Sequence, residues 1–225
     1  MEAPTFLGML IPSVPAYVSY SWLAMAFLII VSLIVRGKIS LIPSGLQNFM
    51  ELIIDFLYGQ SRANIGSKYA EKFLPLLGTL FLYILVCNLF GLIPGFESPT
   101  GNLNTNAAMA VPVFFIYQFY GFKVQGIKYL EHFLGPIRSI YAIPFMAFMF
   151  IVEWMSHLAR PVTLSVRLFG NMMSKHLLLM VLGVLTPLLV PTVVLLLGTA
   201  VSFIQAYIFM ILTAAYIGGA VEEHH

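Results

Sequence analysis

Charge is scarce in this 225-residue chain: Lys, Arg, Asp and Glu together make 9% of it, where a soluble domain carries about 25%. That deficit excludes an ordinary globular enzyme. The net charge of +2, with no basic run, excludes nucleic acid as a partner. Cysteine is nearly absent; Cys87 lies alone in an apolar run, which excludes a disulfide framework and a thiolate metal site. The histidines (His132, His157, His176, His224, His225) form no HExxH pattern, so neither a metalloenzyme nor a bound cofactor is expected. No GxxxxGK[ST] loop is present, so no nucleotide chemistry is expected of the chain itself. Met1–Tyr17 lacks Lys and Arg, which a cleavable signal would need. What remains is 60% hydrophobic with a mean hydropathy of +0.94. The expectation is an all-α integral membrane protein, a single membrane domain over 1–225.

Three stretches, residues 17–35, 73–93 and 104–122, are uncharged and long enough to cross a bilayer upright. Between the first two, residues 44–58 follow a helical apolar period (Leu46, Phe49, Met50, Ile53, Ile54, Leu57), with Gln47, Asn48, Glu51 and Asp55 opposite. Pro43, Ser44 and Gln47 have the spacing of a helix start with a capping box. This segment reads as an amphipathic helix on the cytoplasmic membrane surface or against a partner. Arg36, Lys38, Arg62, Lys68 and Lys72 lie between the first two spans, and Lys123, Lys128 and Arg138 follow the third. The Met1–Ala16 tail and the Gly95–Leu103 loop have no Lys or Arg. The N-terminus is therefore expected outside and both basic segments in the cytoplasm.

Residues 144–185 and 187–217 are too long for upright spans. A helix over the first would reach roughly 60 Å, twice the hydrocarbon thickness. Either two upright helices fill 144–185, or two long tilted helices form a hairpin at 186–191, giving about five crossings and a cytoplasmic C-terminus.

The first long segment carries Arg167, flanked on both sides by apolar sequence. Arginine cannot shed its proton, so its charge stays where charge is expensive and marks an anion partner or an ion path. Glu153, Arg160, Arg167 and Ser174 recur every seven residues and form one stripe, joined by Asn171. His176, nine after Arg167, falls on the other side. Gln205 stands as a neighbour of Arg167 across the hairpin; Gln205 and Ser202 could equally serve as interhelical hydrogen bonds. Glu153 could pair with Arg160 or Arg167. His157 reads as structural, and Lys175 could snorkel to the outer surface.

The blocks Arg160–Leu179 (RPVTLSVRLFGNMMSKHLLL) and Val201–His225, with Leu92–Gly95 (LIPG) and Pro99–Ala110 (PTGNLNTNAAMA), resemble the a subunit of the membrane sector of F-type ATP synthase. The resemblance covers nearly the whole chain in order. It implies two long helices curved around a ring of c subunits and favours five crossings. It implies a stator in the bacterial inner membrane that passes H+ or Na+ through two offset half-channels. Its partners would be the c ring, b-type peripheral stalk subunits, the soluble F1 sector and the lipid bilayer. Arg167 matches the family's essential arginine, and Asn171 and Gln205 match its partners. Glu153, Ser156 and Asn171 match the cytoplasmic half-channel. His176, with Asn102 and Asn104, matches the outer one. Lys175 and Gly198 depart from common family residues. A secondary ion-coupled transporter is the alternative, though no internal repeat of the Arg167 block is present.

Overall fold

The computed structural model describes residues 14–37, 39–93, 95–126, 129, 143–185 and 189–221. The terminal tails, Lys128 and Arg138, and the expected hairpin turn lie outside the described residues. Six α-helices and one 3-10 turn make up the described chain, with no strand among these residues. They are α1 (Ala16–Arg36), α2 (Leu46–Ile65), α3 (Ser67–Phe90), the turn Pro99–Gly101, α4 (Leu103–Gln125), α5 (Ile143–Leu185) and α6 (Leu189–Val221). By length and apolar composition, α1, α3, α4 and the Pro191–Val221 part of α6 suffice to cross a membrane. The protein is an all-α membrane protein. At 43 residues, α5 runs about 65 Å and carries Glu153, Arg160, Arg167 and Lys175.

Pro161 lies within α5 without ending it. The break four residues upstream is answered by another helix, as described below. Elsewhere the chain departs from the pattern of its sequence in two ways. The helix α3 starts at Ser67, directly after the Gly66 that ends α2 with φ +87°. This puts Lys68 and Lys72 in its first turns, with Lys72 over the Tyr120 ring at 4.9 Å. The expected capping box is also absent. The N-cap of α2 is Gly45, and Gln47 turns inward, accepting from the Ser40 N–H at 3.0 Å and donating to its carbonyl at 2.9 Å. Gln47, Leu57, Ser61 and Ile65 therefore form the buried face, while Leu46, Phe49, Leu52 and Phe56 stay exposed. The tether to Ser40 takes the place of the capping box, and the exposed Leu46, Phe49 and Ile54 still share the apolar face of the helix.

In lipid no hydrophobic force drives helices together, so close approach depends on small residues and interhelical hydrogen bonds. The buried face of α6 shows both, with Gly198, Ser202 and Ala206 at four-residue steps, then Ala214 and Gly218. It packs on α2, α3, α4 and α5. Gly218 sits so near α2 that a Cβ there would lie 2.0 Å from the Asn64 carbonyl oxygen. The Gln125 amide donates to the Ala220 carbonyl at 3.1 Å, so the C-terminal ends of α2, α4 and α6 gather on one side. On the other side, the Tyr20 hydroxyl donates to the Gly95 carbonyl at 3.2 Å and ties α1 to the α3–α4 loop.

That loop folds inward. Thr100 donates to Asn88 Oδ1 at 2.7 Å, and Asn88 Nδ2 reaches the Ser202 carbonyl at 3.4 Å. Asn106 Nδ2 donates to the Thr100 carbonyl at 2.9 Å and reaches the Ser165 carbonyl at 3.4 Å. All of these side chains are buried. The 3-10 turn is thereby fastened to α3, α4, α5 and α6 at once.

Candidate functional site

Three contacts set the two long helices in the antiparallel register of a hairpin. Arg160 meets the Tyr216 ring with its guanidinium carbon 4.9 Å from the centroid, Asn171 meets Gln205, and Lys175 lies against Gly198. The face of α5 that packs inward is Leu164, Ser165, Leu168, Met172 and Lys175, at helical spacing. Arg167 therefore points the other way. It is exposed beside exposed Val166 and Met173, and it makes no ion pair or hydrogen bond among the described residues. A fixed cation on an apolar face costs about 3 kcal/mol at the membrane centre unless something outside the chain answers it.

Gln205, expected beside Arg167, is committed elsewhere. Its Oε1 accepts from Asn171 Nδ2 at 2.6 Å, and its side chain is almost fully buried. This bond joins α5 to α6 one turn beyond Arg167. The Ser202 hydroxyl turns back to the Gly198 carbonyl at 2.7 Å, so it offers no free donor to a path.

Toward the Arg36, Lys72 and Lys123 end, Glu153 pairs with neither arginine. Its Oε1 lies 3.4 Å from His157 Nε2, and the imidazole is buried against Tyr117 of α4. Arg160 instead stacks over the rings of Tyr117 and Tyr216. Ser156 is exposed on α5. On the opposite end His176 is half-buried. Lys175 does not snorkel: it is 7% exposed and its Nζ is buried without a hydrogen-bond partner among the described residues. Its stem fills the space over Gly198, where a Cβ would lie 2.9 Å from Lys175 Cδ. Asn102 is the N-cap of α4, accepting from the Asn104 N–H at 2.9 Å. Asn104 is exposed and, with Tyr17, Ser21 and Tyr83, lines a cavity of about 280 Å³ between α1, α3 and α4. No hydrogen bond joins either asparagine to His176 among the described residues.

Residues 18–218 match the family model described as ATP synthase A chain. The chain belongs to that family. It is 46% identical over 208 residues to ATP synthase subunit a of Geobacter sulfurreducens, covering 92% of this chain and 88% of the relative. It is 46% identical to ATP synthase subunit a 2 of Syntrophotalea carbinolica (93% and 87% covered) and 45% identical to ATP synthase subunit a of Trichlorobacter lovleyi (92% and 88%).

Within this A chain, the fold thus brings Asn171 to Gln205 and Lys175 to Gly198, and leaves Arg167 clear of both pairs. Three groups carried no signal strong enough to single them out in the sequence. Asn88 is one amide in an apolar span, and Asn106 is one of several at the start of another. Tyr117 meets His157 from 40 residues away. A usable signal was present for His157: it follows Glu153 by four and precedes Pro161 by four.

Proposed function

We propose that this A-chain subunit is the ion-conducting stator of a rotary ATP synthase, passing H+ or Na+ through two offset half-channels to and from carboxylates on a ring of c subunits. The observation that carries this reading is the placement of Arg167. It is permanently charged, exposed on the apolar side of the α5–α6 hairpin, and unpaired among the described residues. A passing rotor carboxylate would be held ionised by it, with an attraction of about 4 kcal/mol at 4 Å and an effective dielectric of about 20. The same charge would stop ions from crossing directly between half-channels. Glu153, Ser156 and Asn171 belong to the cytoplasmic path, and His176 with Lys175 to the outer path near Asn102 and Asn104. The Asn171–Gln205 bond serves to hold the two long helices at fixed separation beside Arg167.

In this reading the chain makes no bonds itself; the attached soluble sector does the ATP chemistry, and b-type stalk subunits hold the two together. The protein spans the bacterial inner membrane about five times, with a cytoplasmic C-terminus. The gathering of Lys72, Lys123, Asn64 and Ala220 at one end supports that orientation. The test is Arg167→Ala in assembled complex reconstituted in vesicles, with ATP synthesis and passive ion flux measured together. Synthesis should be lost and ions should leak. Normal synthesis would sink the mechanism.

A further inference from the structure

Pro161 interrupts α5 chemically without ending it. Proline brings no N–H, so the carbonyl four residues earlier, that of His157, loses its helical partner. In a membrane such a group must find another donor. The Tyr117 hydroxyl of α4 supplies one, 3.3 Å from the His157 carbonyl oxygen. The same phenol oxygen lies 3.3 Å from His157 Nδ1. A phenol has one proton to give. With that proton directed to the orphaned carbonyl, the oxygen is left to accept, and Nδ1 is the ring nitrogen that carries hydrogen. Nε2 of the neutral ring then presents its lone pair to Glu153 Oε1, 3.4 Å away.

The contact provides this couple with one proton to share, between Glu153 Oε1 and His157 Nε2. Among the described residues, the imidazole meets Glu153 of its own helix and Tyr117 of α4, with Arg160 over the rings of Tyr117 and of Tyr216 from α6, and Tyr129 within the electrostatic reach of Glu153 and Arg160. Arg160, 5.7 Å from the Tyr117 ring centroid and 4.9 Å from that of Tyr216, opposes a second positive charge beside it. Transfer within the couple forms the imidazolium only together with the Glu153 carboxylate, whose negative charge offsets that repulsion. Sodium has no place in such a transfer, because an imidazole and a carboxyl share hydrogen, not a metal ion.

We propose that Glu153 and His157 form a one-proton station on the cytoplasmic path, with Tyr117 fixing the imidazole tautomer, so that the ion this half-channel carries is H+. In the loading step the carboxyl O–H of Glu153 breaks and an N–H forms at His157 Nε2, leaving carboxylate and imidazolium; the reverse step returns the proton to Glu153 for the rotor. The station rests on the stator function proposed above.

The test uses inverted vesicles carrying the assembled complex, cytoplasmic face outward, with ATP-driven proton uptake followed by a quenching dye from neutral to alkaline pH. His157→Gln keeps size and hydrogen bonding but cannot take a proton. It should slow uptake about tenfold. It should also move the alkaline fall-off toward acid, since the imidazole no longer takes the proton. A parental pH profile in assembled His157→Gln overturns the station. Should that variant fail to assemble, the pair Tyr117→Phe and Tyr117→Phe/Pro161→Ala decides. Alanine restores the N–H to the His157 carbonyl, so the double variant should regain stability yet keep the acid shift. Return of the parental profile in the double variant would mean that Tyr117 serves only the carbonyl, and the station falls. Uptake that requires added sodium also overturns it. Arg167→Ala vesicles run alongside: full pumping there removes the stator function itself, whereas silent Arg167→Ala with an unchanged His157→Gln profile removes the station alone.

Discussion

Gly218→Ala is the sharpest test of how the long hairpin is seated. The added Cβ would stand 2.0 Å from the Asn64 carbonyl oxygen, 3.1 Å from its carbon and 3.5 Å from Ile65 Cα. These are backbone atoms at the end of α2, so no rotamer change relieves them. Ordinary contact begins at 3.4 Å, so α2 and α6 must part by 1.4 Å at this point, the difference between 3.4 and 2.0. Ile65, Ile217, Ala220 and Val221 are buried around it and would lose contact. The Gln125–Ala220 hydrogen bond, 3.1 Å long, would stretch with them. Overpacking costs about 1–3 kcal/mol, and a lost hydrogen bond adds about 1 kcal/mol. The total expected is about 3 kcal/mol. Gly219→Ala is the control, one residue away, where a Cβ meets nothing within 4 Å. Buried Cys87 supplies the readout: the purified complex is heated with a thiol-reactive dye, and label on this subunit is measured after separation. Gly218→Ala should label at clearly lower temperature than the parent, and Gly219→Ala should match the parent. Equal melting of the two variants would refute the close backbone approach.

Asn171→Ala or Gln205→Ala leaves the other amide unpaired and should cost about 1–3 kcal/mol, while the double Leu variant should melt nearer the parent; a thermal double-mutant cycle measures this. Gly198→Ala drives a methyl against Lys175 Cδ at 2.9 Å and Leu92 Cδ2 at 3.1 Å, so it should lower stability by about 1 kcal/mol, and Lys175→Gly should restore it in the double variant by the same dye melt. For orientation, a protease tag after His225 should be cut only from the cytoplasmic side, and Asn104→Cys, exposed at the start of α4, should react only with an impermeant thiol reagent added outside.

The legible part of this protein was whatever depends on runs of residues. Uncharged stretches announce helices because lipid tolerates little else, whereas residues 144–185 could be one long helix or two upright ones, and only the family resemblance favoured the single α5. Arg167 was legible because an arginine has only one charge state. What stayed hidden depends on pairs far apart in the chain. Lys175 and Gly198 are complementary in shape only once α5 and α6 are antiparallel. Gln47 looked like a capping residue because Ser44 stood three residues before it, yet the tether to Ser40 won, since its amide both gives and accepts there. Asn102, which the resemblance places by the outer path, is also the cap of α4 through its local bond to the Asn104 N–H. The contact of His157 with Tyr117 stayed hidden because the tyrosine comes from another helix, although the proline four residues downstream already promises an unpaired carbonyl.

The inward-folded Pro99–Gly101 turn also bears on how the chain is made. Asn88 and Asn106 reach the bilayer early in synthesis, in α3 and α4, but the Ser165 and Ser202 carbonyls that receive their amides are translated much later. Until α5 and α6 arrive, those amides have only the loop itself to bond, and the turn lacks half of its anchorage. A nascent chain halted after α4 is thus unfinished chemically as well as in length. Membrane proteases and insertases that sense exposed polar groups would meet it as a substrate, and arrival of the hairpin would release it from their attention. The segment that is completed last is the one that seals what was threaded first.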